Sequence, residues 1–342
     1  MSSPGSTASV LLSRRGAVAA EGVDAGVAAH YGDPMREQRL LAEGLAAVDL
    51  SHRGVVSVTG PDRLRWLHSM TTQHLTDLGA RTSVETLVLS PKGHIEHALH
   101  LVDDGRTSWL TVEPRTAPAV VAWLTSMRFM LQVEVADRSG EYAVLGETNS
   151  RESVVGEPLA WVDPWPGPVG DTAPYGPVAG HPGHDRAWRE LLVPREHLAD
   201  AVGDRTLAGV WAAEALRVAA WRPRLGFETD HRTIVHEVDW LRTAVHLHKG
   251  CYRGQETVAR VHNLGRPPRR LVFLHLDGSG HVLPDRGTPL TLAGRSVGFL
   301  TSVVRHHVLG PIALGLIKRS TAPMEILDAG GVNAAPELIV AP

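Results

Sequence analysis

The residues best suited to chemistry lie close together near position 250. Cys251 is the only cysteine of the chain, and Lys249, one of only three lysines, lies two residues before it. Gly250 and Gly254 flank the three residues Cys251-Tyr252-Arg253, and glycine lets a backbone turn sharply and approach a neighbour closely. Lys249 and Arg253 add two cations, which favour the thiolate form of a nearby cysteine. The segment therefore predicts either an exposed, reactive thiol or a tight turn around a small buried cysteine.

A helix is expected to begin directly after this turn. Gln255 and Glu256 open a run of helix-forming residues, and an acidic side chain in the first turn complements the positive end of a helix. The first backbone N–H groups of that helix would point back toward Cys251 and add to the positive potential there. The predicted thiol site thus comprises a turn, two cations and a helix N-terminus.

The sequence from Lys249-Gly250-Cys251-Tyr252 through Gly254-Gln255-Glu256 resembles the signature of the YgfZ family. These are folate-binding proteins related to T-protein, the aminomethyltransferase of the glycine cleavage system. The similarity extends over about residues 29 to 320 and includes several further blocks: His30-Tyr31-Gly32-Asp33-Pro34, Val58-Thr59-Gly60-Pro61-Asp62, Leu89-Ser90-Pro91-Lys92-Gly93-His94 and Pro223-Arg224-Leu225-Gly226.

The resemblance implies an α+β fold of three domains in a ring, two of them α+β (ferredoxin-like) and the third a C-terminal β-barrel. It implies a central channel that accepts tetrahydrofolate, so that a reduced folate is the expected cofactor. It also implies an accessory role in the assembly or repair of iron–sulfur clusters, with iron–sulfur client proteins as partners. Cys251 is the residue most associated with that role in the family.

The order of elements along the chain agrees with this fold class. A strand, a helix, two or three strands, a helix and a strand follow one another between residues 55 and 135, which is an α+β pattern. Residues 29–262 are predicted to form two lobes, about 29–150 and 151–262, whose strands are free to interleave. Short strands separated by Gly-rich turns predict a β-barrel over residues 263–342.

The first 28 residues are predicted to form a flexible tail because they are rich in Ser, Gly and Ala and lack periodicity. Ser13-Arg14-Arg15 is similar to a twin-arginine export signal. The small-residue run Gly16 to Ala20 is shorter than the roughly 7–15 apolar residues that such a signal needs. No stretch approaches the roughly 18 apolar residues of a membrane span, so the sequence predicts a cytoplasmic protein without membrane contact.

One block departs from the T-protein pattern. T-protein relatives carry an acidic pair, one member of it catalytic, on the strand after the turn at Ser90 to Gly93, and this chain has His97-Ala98 there. Glu96 is adjacent, but consecutive strand residues point to opposite faces. A carboxylate that could handle protons is therefore missing. We expect no glycine cleavage aminomethyltransferase activity, and whether the chain catalyses any other turnover is left open.

Glu190 and Arg217 are the candidate folate-binding residues. A pterin presents a pair of N–H donors, which a carboxylate accepts bidentately. Glu190 is similar in placement to the pterin-holding glutamate of T-protein, and Arg217 is its expected neighbour; the alternative for Glu190 is an ordinary strand glutamate. Trp221 stands where T-protein relatives tend to have a glycine, and so a large side chain would reshape part of the pocket.

Other site types are disfavoured. His94, His97 and His100 could suggest a metal cluster, but strand alternation sends His97 away from the other two, and no metal site is predicted. A single cysteine excludes an intramolecular disulfide and a cluster held by one chain's thiolates. The net charge of −3 provides no overall attraction to nucleic acid or membranes.

Two other functions remain as alternatives. Residues 249–270 are locally basic, yet Tyr252 is the only aromatic residue among them, which argues against a nucleic-acid platform. A folate-dependent one-carbon transferase with an unidentified acceptor, RNA being one candidate, is the main alternative to the accessory role. The third is a scaffold whose folate fold no longer binds folate.

Overall fold

A computed structural model of the protein describes residues 8–280, 282–322 and 324–341. The helices in these ranges are α1 (Pro34–Ala42), α2 (Arg63–Met70), α3 (Ala117–Ser126), α4 (Leu198–Val202), α5 (Val210–Ala219), α6 (Leu241–Ala244) and α7 (Gln255–Leu264). The strands are β1 (Val18–Ala19), β2 (Ala28–His30), β3 (Ala46–Asp49), β4 (Gly54–Thr59), β5 (Ser83–Leu89), β6 (Ile95–Asp103), β7 (Thr107–Val112), β8 (Glu134–Asp137), β9 (Tyr142–Glu147), β10 (Leu159–Val162), β11 (Arg189–Pro194), β12 (Thr206–Ala208), β13 (Arg269–Leu276), β14 (Pro289–Leu292), β15 (Arg295–His306), β16 (Gly310–Lys318), β17 (Leu327–Asp328) and β18 (Asn333–Leu338).

The chain folds into two compact units, each assembled from three separate stretches. The first unit contains the described residues up to Thr86, then His97–Pro164 and Ala187–Ala213. The second contains Leu87–Glu96, Trp165–Arg186 and the described residues from Glu214 onward. Within the described ranges, no helix combines the length and the apolar composition needed to cross a membrane.

Two five-stranded sheets form the framework of the first unit. One has the strand order β5-β6-β7-β4-β8, with β4 antiparallel to both β7 and β8. The other has the order β10-β11-β9-β3-β12, in which only the β3–β12 pair is parallel. The β-branched run Val55 to Val58 gives β4 its strand character, and Val55, Val56 and Val58 are fully buried.

The second sheet takes strands from both sides of the expected boundary at residue 150. All four residues of β3 are buried, as expected of a strand with a partner on each edge and both faces covered. β3 pairs with β9 through Val48 and Gly146 and with β12 through Ala47 and Leu207. The strands therefore interleave along the chain, and the lobes do not divide cleanly at residue 150.

The N-terminal segment differs from the flexible tail that the sequence suggested for residues 1–28. Residues 1–7 lie outside the described residues. From Ser9 onward the chain is packed: Leu11 is buried in the core of the second sheet, and β1 pairs with β2. Val27 is also fully buried. Isolated apolar residues can anchor a segment without any periodicity, which is why composition alone predicted a tail.

The second unit contains a closed β-barrel with the strand order β13-β16-β15-β14-β17-β18. Its core includes Val272, Leu274 and Leu300, all fully buried. Gly298 allows β15 to approach β16, because a β-carbon there would lie 2.2 Å from the Leu316 carbonyl oxygen. The structure thus confirms the α+β class with a C-terminal barrel, whose first strand begins at Arg269.

Candidate functional site

The thiol of Cys251 is exposed, whereas the side chains on either side of it are buried. Lys249 is 6% exposed and Tyr252 is 8% exposed, and the Lys249 ammonium lies 5.3 Å from the centroid of the Tyr252 ring. That distance is within the range of a cation–π interaction. The sequence left open either an exposed thiol or a small buried cysteine in a tight turn. The structure has the exposed thiol.

The turn that carries Cys251 packs against the β5–β6 hairpin through two glycines. Gly254 has a φ of +82°, and a β-carbon there would lie 2.6 Å from the Ser90 carbonyl oxygen. Gly93 has a φ of +77°, and its β-carbon would lie 2.7 Å from that of Thr257 on α7. A β-carbon at Gly250 would meet nothing within 4 Å. Only one of the two glycines around the cysteine is therefore required by the turn.

The cations near Cys251 are less available than the sequence suggested. Arg253 forms an ion pair with Glu96, with 2.9 Å between nitrogen and oxygen. Burial lowers the pKa of Lys249 to about 7, so its ammonium is only partly charged at neutral pH. At the start of α7, the Thr257 and Val258 amides donate to the Gly254 carbonyl. The thiol is thus exposed on a closely packed turn, and its setting is only weakly cationic.

Glu190, the predicted pterin carboxylate, is buried where the two five-stranded sheets of the first unit meet. Its Oε1 accepts a hydrogen bond from Arg53 at 2.5 Å. Its Oε2 lies 3.0 Å from His100 Nδ1 and accepts from the Thr111 hydroxyl at 2.9 Å. Arg53 also donates to Glu113 at 3.1 Å. Three protein groups therefore already occupy the carboxylate that was assigned to the pterin.

This network determines the charge of Glu190. Burial alone would raise the pKa of Glu190. The positive charges of Arg53 and His100, together with the hydrogen bonds from His100 and Thr111, outweigh burial and hold the pKa of Glu190 well below its ordinary value. The His100 ring stacks on Trp161, with 3.7 Å between centroids and 4° between planes. Glu190 is thus held in its ionised form near neutral pH and joins strands of both sheets.

His97-Ala98 on β6 bring no carboxylate to the positions where T-protein relatives have their acidic pair. Ala98 is buried, His97 is half-buried, and Glu96 is engaged with Arg253. Among the residues that the structure describes, no group of three or more His, Cys, Asp or Glu side chains could hold a metal ion. His100 on β6 contacts Glu190, and the backbone of His94, one residue before β6, bridges to Ile234.

Arg217 lies in the second unit and belongs to a different ion-pair cluster from Glu190. Its guanidinium donates to Glu214, to Glu228 at 2.9 Å and to the Ser302 hydroxyl at 2.8 Å. Glu228 is fully buried and also accepts from Thr301 at 3.0 Å. Glu190 and Arg217 thus each have buried partners within their own unit, and their folate-binding role stays a prediction.

Sequence reasoning missed the buried partners of both predicted residues. Arg53 is 137 positions from Glu190, and no local pattern connects them. Glu228 is likewise separated from Arg217 by a turn and has no motif of its own. Glu214 could have been found, because it lies three residues before Arg217 on α5 and side chains at that spacing share a helix face.

Trp221 keeps the backbone conformation that a glycine would adopt. Its φ is +57°, a left-handed value that is uncommon for a bulky residue. The side chain is buried, with its ring centroid 5.1 Å from that of His181 and 6.0 Å from that of Phe273. The tryptophan at this expected glycine position therefore fills the interior of the second unit at the cost of backbone strain.

Known proteins provide relatives of moderate similarity. No family model matches the chain. The chain is 28% identical over 294 residues to a chloroplastic protein of Arabidopsis thaliana that carries the name "putative transferase", covering 82% of this chain and 66% of that protein. It is 26% identical over 298 residues to an aminomethyltransferase of Symbiobacterium thermophilum, covering 80% and 78%. It is 25% identical over 241 residues to a mitochondrial IBA57 homolog of Mycosarcoma maydis, named as an iron–sulfur cluster assembly factor, covering 65% and 55%.

The fold is similar to that of a solved aminomethyltransferase. The glycine cleavage system aminomethyltransferase T from Bartonella henselae superposes with a TM-score of 0.77 and 17% sequence identity. The match covers 97% of this chain and 95% of that one. The chain thus has the aminomethyltransferase fold along nearly its whole length, although its sequence has diverged widely.

Proposed function

We propose that the protein is a YgfZ-like, tetrahydrofolate-binding accessory protein that supports the assembly or repair of iron–sulfur clusters in client proteins of the cytoplasm. The observation that carries the proposal is the exposed thiol of Cys251 on a rigidly packed turn. The similarity to a relative named as an iron–sulfur cluster assembly factor supports it. The aminomethyltransferase fold supports the folate part of the proposal.

The thiol has chemistry that suits this role. A thiolate can attack an oxidised sulfur and form a mixed disulfide, and the displaced sulfur leaves with the bonding electron pair. It can also supply one ligand to an iron. Because the chain has a single cysteine, it cannot retain a whole cluster alone. Any cluster contact must be shared with a client, a second chain or a small thiol.

The folate-binding role of Glu190 and Arg217 stays a prediction. Glu190 already accepts from three protein groups, two of them on Oε2, so a pterin could bind both of its oxygens only after His100 or Thr111 releases Oε2. Arg217 is held by acidic and hydroxyl groups of its own unit. The folate part of the proposal therefore depends on the fold and the relatives, and we derive no catalytic step through folate.

A one-carbon transferase is the second candidate. It is favoured by the names of several relatives, which are aminomethyltransferases or a transferase of unstated substrate. Turnover of methylene-tetrahydrofolate with a cell extract would support the transferase. Saturable binding of tetrahydrofolate without turnover would support the accessory protein, and absence of binding would leave only a scaffold.

The test of the proposal is Cys251→Ser. Serine is close in size to cysteine, and the turn is held by Gly254, so the thermal midpoint and tetrahydrofolate binding should match the wild type. In cells lacking the wild-type copy, the variant should fail to restore the activity of iron–sulfur enzymes. Ser279→Ala, on an exposed barrel loop, is the matched control and should restore them. Full restoration by Cys251→Ser would overturn the proposal.

A further inference from the structure

A cavity lies in the first unit, lined by residues that neither the thiol nor the folate argument uses. Its volume is about 270 Å³. Four arginines line it against only two carboxylates, and Tyr31 is also part of the wall. The lining comes from the N-terminal segment, the start of α1 and the turn before β12: Arg14, Arg15, Tyr31, Asp33, Arg36, Glu37, Val202, Gly203, Arg205, Thr206 and Leu207.

The two carboxylates of the cavity are engaged with backbone amides. Glu37 is buried and accepts from the amides of Tyr31 and Gly209, at 2.7 and 2.9 Å. Asp33 accepts from the Arg36 amide at 3.0 Å, as the N-cap of α1. Each carboxylate thus fixes the backbone that forms the cavity. Within the described ranges, neither forms a salt bridge with an arginine of the lining.

Three of the four guanidinium groups have no partner among the described residues. Arg205 forms an ion pair with Glu147 and donates a hydrogen bond to the Val202 carbonyl. These contacts fix its side chain as part of the wall. Arg14, Arg15 and Arg36 make no side-chain hydrogen bond or ion pair within the described ranges and are exposed to the cavity mouth. Guanidinium groups gathered in this way repel one another unless an anion lies between them.

The arginines are held in place by the packing of the N-terminal segment. Leu11 is buried before them, and β1 pairs with β2 after them. Between these anchors, Gly16 has a φ of +83°, and a β-carbon there would lie 2.4 Å from the Tyr31 carbonyl oxygen. This close contact keeps Arg14 and Arg15 beside Tyr31 instead of leaving them on a free chain end.

The hydroxyl of Tyr31 lies behind the cavity wall and not on its surface. Its oxygen is buried and has no hydrogen-bond partner among the described residues, so no ligand atom in the cavity can reach it. Burial, followed by the charges of Asp49 and Glu37, raises the pKa of Tyr31, so the hydroxyl keeps its proton and adds no negative charge beside the arginines.

We propose that this cavity binds a small anion with at least two negative charges on oxygen. A phosphate monoester and a short polycarboxylate both have this chemistry, since planar guanidinium groups bind phosphate and carboxylate oxygens through paired hydrogen bonds. The volume lies just below the roughly 300–1,000 Å³ of most small-molecule sites. The ligand is therefore a small metabolite or a terminal group and not a polymer segment.

The test is calorimetric titration of the full chain at low ionic strength with inorganic phosphate, pyrophosphate and citrate. At least one should bind saturably with one site per chain and raise the thermal midpoint. Tighter binding of pyrophosphate identifies a phosphoryl ligand, and tighter binding of citrate identifies a polycarboxylate. Tyr31→Phe, which removes only the buried hydroxyl behind the cavity wall, should bind the anion as the wild type does.

The decisive variant is Arg14→Gln with Arg36→Gln, which should weaken binding by at least about ten-fold, because each charged hydrogen bond is worth more than a neutral one. The matched control, Arg65→Gln with Arg295→Gln, removes two exposed arginines that do not line the cavity. It should bind as the wild type does. If none of the three anions binds saturably, or if both double variants bind equally well, the proposal is wrong.

Discussion

Lys249 is buried beside an exposed thiol, and its ammonium group changes charge near neutral pH. Burial lowers the pKa of Lys249 from 10.5 to about 7 in the folded chain. Between these two values the unfolded chain binds more protons, so the stability of the folded state rises with pH across that window. Below pH 7 the burial penalty is fully present.

Lys249→Met should therefore be more stable than the wild type at and below pH 7, and it should lose most of the rise toward pH 10. Denaturant midpoints of both proteins at pH 6, 7.5 and 9 measure this difference. Lys318→Met, which removes an exposed lysine of the barrel, should keep the wild-type pH profile. Identical profiles for all three proteins would show that Lys249 is not desolvated.

Glu190 differs from Lys249 in that the folded state favours its charged form and not its neutral form. Its pKa is depressed in the folded state, so the stability that it contributes is present above its unfolded pKa of about 4.5 and is lost as the pH falls below it. Glu190→Gln leaves the positive charge of Arg53 without one of its two carboxylates. We expect a loss of about 3–5 kcal/mol at pH 7, the usual cost of breaking a buried ion pair.

The measurement for Glu190→Gln is the free energy of unfolding at pH 7 and pH 3.5, where the difference from the wild type should shrink. Glu196→Gln, an exposed change nearby, should cost little. Titration with tetrahydrofolate then tests the second role of the residue. A Glu190→Gln protein that folds and binds folate with normal affinity would remove Glu190 from the folate site.

Local residue types could predict the position of the reactive segment but not the state of its charges. The motif around Cys251 is continuous in sequence, so its turn and the following helix were predictable. The pairing of Arg253 with Glu96 joins residues far apart in sequence, as does that of Arg53 with Glu190. Such pairs follow from tertiary packing, which no local pattern records.

At the scale of elements, the contact between the β5–β6 hairpin and α7 depends on glycine. Gly254→Ala would force a side chain into a left-handed conformation and against the Ser90 carbonyl. We expect it to cost about 1–3 kcal/mol and to change the rate at which Cys251 reacts with a thiol reagent. The control is Gly250→Ala, one residue before the cysteine, where a β-carbon meets open space.

Thermal midpoints and thiol reaction rates of these two variants should therefore differ clearly. A Gly254→Ala protein with normal stability and normal thiol reactivity would mean that the hairpin does not position the cysteine. If Gly250→Ala were the more damaging change, the turn would be held in a different way from the one described.

The strands of the barrel were predictable because Gly-rich turns separate short apolar runs, and each run must bury one face. The packing of the N-terminal segment was not predictable, because a single buried leucine at position 11 leaves no periodic pattern in the sequence. The left-handed conformation of Trp221 was equally hidden. A bulky residue adopts it only where the surrounding packing outweighs the strain, and packing is not visible in one segment.

At the scale of the whole molecule, the chain has the aminomethyltransferase fold, but positions 97 and 98 on β6 carry no carboxylate. We expect the purified protein to release no ammonia from the aminomethylated carrier protein in the presence of tetrahydrofolate, because His97-Ala98 supply no acidic group. An authentic aminomethyltransferase serves as the positive control in the same assay. Ammonia release at a comparable rate would contradict this prediction and favour the transferase alternative.

The two units are each built from three stretches, and the chain passes between them at five points: Thr86, Glu96, Pro164, Arg186 and Ala213. Neither unit therefore corresponds to one uninterrupted part of the gene. A deletion or recombination event that removed one of them in a single step would also remove pieces of the other. Substitutions and changes within loops can alter this protein during evolution. Neither unit, however, can be transferred to another protein as one continuous segment.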